Sequence, residues 1–288
     1  MAPLSMNRTG TPKKGKQEVG PNREEHLIPV PTHITVTDST LIPQKGEEGV
    51  LSAWNISFFG ALVVLAGLVI LFPDPYRQIL AFVPDGLAVT FGVTVAAISF
   101  ALVIGLLAGL GRISHNVVIN RIATVYVEII RGIPLLVQLF YIYYALGNWI
   151  KLSGPAAAIL AMSICYGAYM AEIFRAGIQS IPKGQMEAAL ALGMSRGLAM
   201  RKVILPQTIK VILPPIGNEF IALLKDSSLV SILAVADLLR RGREFASTSF
   251  RYFESYTVVA LIYLVMTLFF SRLVAIMEER LRNRGTLH

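Results

Sequence analysis

Two short runs carry the spacing of catalytic motifs. Gly193-Met194-Ser195-Arg196-Gly197 fits G-x-S-x-G, the turn that presents a nucleophilic serine in esterases and lipases. Gly10-Thr11-Pro12-Lys13-Lys14-Gly15-Lys16 has most of a phosphate-cradling loop. Neither has the right surroundings. A serine needs a base to take its proton, and the histidine downstream of Ser195 is the terminal His288. The turn also needs a strand before the serine, whereas residues 185–192 are good helix formers. In the other run Gln17 stands where a Ser or Thr would hold magnesium. A membrane serine hydrolase using Ser195 is therefore kept only as the alternative from a different class, and the chain is expected to lack an ATPase site of its own. His26, His33, His115 and His288 show no ligand spacing, so no metal is expected. Cys165 has no second cysteine to pair with and reads as a packing residue.

Ionisable groups inside apolar stretches are the second source of chemistry, because a charge at membrane depth is costly unless it is used or paired. Glu128 and Arg131 are three apart and share a helix face, as do Glu172 and Arg175. Both pairs read as structural or gating pairs. Asn218 and Glu219 follow Pro214-Pro215, where freed backbone carbonyls and side-chain acceptors would meet an ammonium group. Lys225 would meet a carboxylate or snorkel to the interface. Asn218, Glu219 and Lys225 are thus the candidate substrate pathway.

The elements that must position these groups lie in a bilayer. The chain is 54% hydrophobic and 15% charged, with mean hydropathy +0.61, which excludes an ordinary soluble domain. Six stretches approach the length of a membrane-crossing helix, at about 54–72, 88–110, 124–146, 155–175, 209–224 and 256–275. The fifth contains Pro214, Pro215, Asn218 and Glu219, so it reads as broken or cavity-lining. Gly105 and Gly109 form a small-x-x-x-small face for close helix packing or dimerisation. The expected class is an all-α integral membrane protein of about six transmembrane helices. Residues 1–50 read as a disordered tail and 51–83 as an extra N-terminal span and loop, with no signal peptide expected. Residues 84–282 form the main membrane domain and 283–288 a short tail.

The net charge of +8 invites a nucleic-acid reading, but its placement argues for membrane orientation instead. Arg8, Lys13, Lys14, Lys16, Arg23 and Lys45 precede the first span, and Arg175, Lys183, Arg196, Arg201, Lys202 and Lys210 surround a polar loop at 180–206. Only Arg77 and Lys151 follow spans one and three. Both termini and the loop are therefore placed inside. Arg240, Arg241, Arg243 and Arg251 oppose this, since six crossings put them outside; residues 231–245 are read as an amphipathic helix at the outer mouth. If 209–224 failed to cross, that segment would lie inside.

The 180–206 loop reads as a compact helical finger. Pro182 suits a first helical position, residues 187–192 favour helix, and Gly193 supplies the left-handed residue that ends it. Pro206 interrupts or starts the next helix. Ala188 and Ala189 keep one face thin, and Glu187 offers a carboxylate to a cation across an interface.

Glu187-Ala188-Ala189, Gly193, Val203 and Leu205-Pro206 resemble the "EAA" docking signature in the membrane subunits of bacterial ATP-binding-cassette importers. Arg131-Gly132-Ile133-Pro134 with 135–138, Tyr166–Tyr169 with Glu172 and Arg175, and 217–220 with 224–229 resemble the polar amino-acid permeases of that superfamily, carriers of histidine, glutamine, glutamate or arginine. The likeness covers about 84–282. It implies a transport subunit of the bacterial inner membrane, with a coupling loop of Glu187, Ala188, Ala189, Gly193, Leu205 and Pro206. ATP and magnesium would sit on a partner ATPase dimer, with no cofactor on this chain. An extracytoplasmic binding protein and a second permease, identical or related, would complete the assembly, with no nucleic acid. An ATP-independent channel or secondary carrier is the alternative.

Overall fold

A computed structural model describes residues 52–283, where every regular element is a helix. The tail at 1–50, with its phosphate-loop-like run, and the end at 284–288 lie outside the described residues. The order is α1 (Ala53–Leu71), α2 (Pro73–Phe82), α3 (Asp85–Arg112), α4 (Val117–Gly132), α5 (Leu135–Phe140), α6 (Gly154–Gln179), α7 (Lys183–Ala191), α8 (Arg196–Ala199), α9 (Leu205–Asp226), α10 (Leu238–Ser249) and α11 (Tyr252–Asn283). Polar residues start several of them: Ser52, Asn116 and Ser153 each accept a backbone N–H of the first turn, as N-caps do.

Among the described residues α1, α3, α6 and α11 are long and apolar enough to cross a membrane. A fifth span exists if α4 and α5 count as one, bent by 102°. The fifth expected stretch, 209–224, lies in α9, which is not among the helices that meet that standard, and the sixth, 256–275, lies in α11. The break expected within 209–224 is not there: α9 runs helical through Pro214 and Pro215. A proline's own φ suits a helix, and the carbonyls it deprives lie four residues back, at Lys210 and Val211 rather than beside Glu219. The break falls in the third span, read from sequence as continuous. There Pro134 forces Ile133 into extended backbone (φ −109°, ψ 128°) and ends α4.

The core is the α3/α6 pair. Gly105 and Gly109 let the helices touch, since a Cβ on Gly109 would lie 2.8 Å from the Ala171 carbonyl oxygen. The small-residue face is therefore used inside the chain, not for dimerisation. Fully buried Ala97, Ala101, Ala161, Met162, Met170 and Leu223 continue this core toward α9. A second cluster of Ile79, Val83, Leu238 and Val258 joins α2, α10 and α11. The amphipathic helix expected at 231–245 is α10, displaced to 238–249 because 227–233 forms a 3-10 segment. Outermost is α1, with only Ala61 buried. Its Trp54 Nε1 donates to the Leu268 carbonyl of α11 at 2.9 Å, and Arg272 lies 5.5 Å from the Trp54 ring centre.

Candidate functional site

The polar finger is built by local rules. Pro182 is the N-cap of α7 rather than its first residue, and Gly193 takes φ 81° just past the helix end. Its N–H donates to the Leu190 carbonyl at 2.9 Å and that of Met194 to the Ala189 carbonyl at 3.1 Å, the paired bonds of a Schellman ending. Ser195 Oγ then accepts the Leu198 N–H at 3.4 Å, so this serine caps α8 and follows a helix, not a strand. The G-x-S-x-G run is thus a turn-and-cap signal. A π-turn at Met200–Ile204 leads into α9, with Pro206 in its first turn.

The finger's surface differs from the sequence expectation at one alanine. Glu187, Ala188, Leu205 and Pro206 are exposed, but Ala189 is 4% exposed and packs inside the finger. The apolar group actually presented is Leu192, 83% exposed and one helical turn beyond Ala188 on the same face.

The second site is a cavity of about 440 Å³ at the elbow between α4 and α5. Its walls are Arg131 and residues 132–135, Cys165, Tyr166 and Tyr169 of α6, and Glu219, Ala222 and Asp226 of α9. Tyr166 Oη donates to Asp226 Oδ2 at 2.8 Å, and the Arg131 guanidinium carbon lies 5.2 Å from the centre of the Tyr169 ring. One cation and two carboxylates thus line one space.

Of the expected pathway residues Glu219 lies in this cavity, whereas Asn218 and Lys225 are exposed and absent from its lining. Arg131 joins the cavity, but no ion pair links it to the exposed Glu128. Glu172 does pair with Arg175, and equally with Arg112 at the end of α3, tying the two core helices together. Tyr166, Tyr169 and Asp226 were missed as site residues. The available signal was spacing: Asp226 is seven after Glu219, back on the same face, while Asn218 and Lys225 are each one residue off it.

Two further groups sit outside the spans, around α10. Asp237, fully buried, caps α10 by accepting the Arg240 N–H at 3.0 Å and the Leu239 N–H at 3.2 Å; burial pushes its carboxyl up to about 6. Glu244 is held below the usual carboxylate range by its hydrogen bond from Arg240.

With these features in place, comparison with known proteins defines the class. Residues 101–283 match the family described as "Binding-protein-dependent transport system inner membrane component", and the chain belongs to it. It is a membrane-embedded permease subunit of an ATP-binding-cassette importer, and ATP hydrolysis belongs to a separate subunit. Among relatives, the glutamine transport system permease protein GlnP of Escherichia coli (strain K12) is 41% identical over 201 residues, covering 69% of this chain and 92% of that protein. The probable amino-acid permease protein YxeN of Bacillus subtilis (strain 168) is 39% identical over 199 residues, 68% and 89% of the two chains. A crystal structure of an amino acid ABC transporter with histidines aligns at TM-score 0.67 with 44% identity, covering 71% of this chain and 95% of that one. An inward-facing MetNI methionine ABC transporter, 22% identical at TM-score 0.57, shares the fold. The family match begins at residue 101, beyond the tail and α1.

Proposed function

We propose that this permease carries a polar amino acid through the elbow cavity, and that the finger receives the ATPase. The observation that carries the reading is the cavity lining: Arg131 faces the same space as Glu219 and Asp226. A zwitterion needs a cation for its carboxylate and a carboxylate for its ammonium. Tyr166 holds Asp226 in place by its hydrogen bond, which fixes one end of the site. Relatives named for glutamine and other amino acids support the substrate class, with glutamine or glutamate favoured, then histidine or arginine.

In this reading both termini and the finger are cytoplasmic and α10 lies at the outer mouth, where an amino-acid-binding protein delivers substrate. Two permeases, identical or related, stand side by side over an ATPase dimer. ATP and magnesium bind the ATPase, whose dimer favours one permease state over the other and so drives alternating access. Glu187, Ala188, Leu192 and Gly193 form the docking surface, with Leu205 and Pro206 at its root.

Co-purification on a tagged chain, followed by uptake in liposomes with Arg131→Gln, tests this. The ATPase should co-purify, and the variant should keep hydrolysis while its uptake KM rises about tenfold or more, as for a lost charge-assisted contact. Unchanged uptake would remove Arg131 from the site, and an ATPase that binds a finger-deleted chain equally well would remove the finger.

A further inference from the structure

The elbow that walls the cavity has a chemical problem. Pro134 has no N–H, so the Ile130 carbonyl four residues back loses its α-helical donor and keeps only a long 3.4 Å bond from the Ile133 N–H. Ile133 is extended, so its carbonyl also lies outside the α4 ladder. Within membrane-spanning segments such loose carbonyls need a partner from the chain or from a water-filled cavity.

The Gln138 side chain on α5 supplies both. Its Nε2 donates to the Ile130 carbonyl at 2.9 Å and to the Ile133 carbonyl at 2.8 Å. Both amide protons meet carbonyl oxygens, so the reverse orientation of the amide would set oxygen against oxygen. Gln138 is 6% exposed, and its Oε1 is buried without a partner. An apolar residue would avoid that orphaned acceptor, so the position is held by a glutamine for its donors rather than for packing. The Nε2 also lies 3.7 Å from the Sγ of Cys165, which lines the cavity.

We propose that Gln138 is a positioning residue whose amide splints the α4–α5 elbow, fixing the wall that sets Arg131 opposite Glu219 and Asp226. The splint has one end on each side of the bend, Gln138 on α5 and Ile130 on α4. Losing its donors frees the bend angle while leaving the finger untouched. The link from splint to transport rests on the cavity being the amino-acid route.

The test uses the full transporter in liposomes and two readouts: uptake KM, and the rate at which a small maleimide modifies Cys165, followed by mass spectrometry of its peptide. Gln138→Met keeps the length and packing of the side chain but has no donor. Modification should accelerate about thirtyfold, the fold-change that two net hydrogen bonds of about 1 kcal/mol each correspond to. Uptake KM should rise while basal hydrolysis is unchanged. Should Gln138→Met fail to accumulate, Gln138→Asn carries the test: one methylene shorter, it reaches one carbonyl, and an intermediate rate is expected. A wild-type modification rate in whichever variant accumulates overturns the splint, whatever uptake does. Faster modification with unchanged KM supports the splint and counts against the cavity as the route.

Discussion

The chain turns sharply at the finger tip and at the membrane elbow, and it solves the same backbone problem there by different means. At the finger tip Gly193 takes a left-handed conformation and the loose carbonyls of α7 are met by the next two backbone N–H groups. At the membrane elbow Pro134 ends α4, and the loose carbonyls are met by a side chain five to eight residues away. The difference follows the surroundings. A polar loop can lean on solvent and local backbone, so its turn needs only the right residue at one position. Within apolar spans a turn needs a dedicated donor, and that donor fixes what the turn encloses. Pro214 and Pro215 give a third case. They leave α9 unbroken, with buried Ile212, Ile221, Leu223 and Leu224 packing the helix in place.

The sharpest way to break this comparison is at the finger. Gly193→Val places a β-branched residue at φ 81°, a conformation such residues rarely adopt, at a local cost of about 1–3 kcal/mol. The variant should remain in the membrane, but transport-linked ATP hydrolysis should fall to near background in liposomes. Gly193→Asn, which tolerates that conformation, should retain most of it. Next in size, Ala189→Asp buries a charge inside the finger, whereas Ala188→Asp faces outward. The first should lose the ATPase on co-purification and the second should weaken it less; equal losses would mean that the two alanines share one exposed face.

A smaller effect is expected in the cavity from Tyr166→Phe, which removes one hydrogen bond to Asp226. Uptake KM should rise several-fold, as expected for about 1 kcal/mol, with assembly intact. The smallest concerns α10. The folded-state value of Asp237 is raised to about 6, so its contribution favours the folded form below the ordinary carboxylate range and is lost as pH rises through about 6. Glu244, shifted downward, stays ionised through the window from about pH 5 to 8 and adds no slope there. The Tm of purified protein should therefore decline from pH 5 to 8, and Asp237→Asn, which still caps a helix, should flatten the decline. An unaltered slope in that variant would assign the pH dependence elsewhere.

The two turns also differ in how legible they were. The finger could be read almost residue by residue, because Pro182, the helix formers and Gly193 act on neighbours in sequence. Apart from a one-residue shift at Pro182, what escaped was the inward turn of Ala189 and the outward Leu192, since α7 packs against the 200–204 segment. The cavity was half legible. Glu219 stood out as a carboxylate in an apolar stretch, but Tyr166 and Asp226 are 60 residues apart and meet only through helix packing. Pro134 and Pro214-Pro215 look equally disruptive in sequence; what separates them is tertiary support. The extra span α1, with its Trp54 contact to α11, carried no sequence signal for where it would dock.

Glu219→Gln tests the division of labour between the regions most directly. It removes a cavity charge, keeps the side chain's shape and leaves the finger untouched. Measured in one reconstituted preparation, uptake KM should rise about tenfold or more while the ATPase stays bound and hydrolysis continues, as for a lost charge-assisted contact. Normal uptake by an assembled Glu219→Gln transporter would contradict the account, because the cavity would then not be where the amino acid passes.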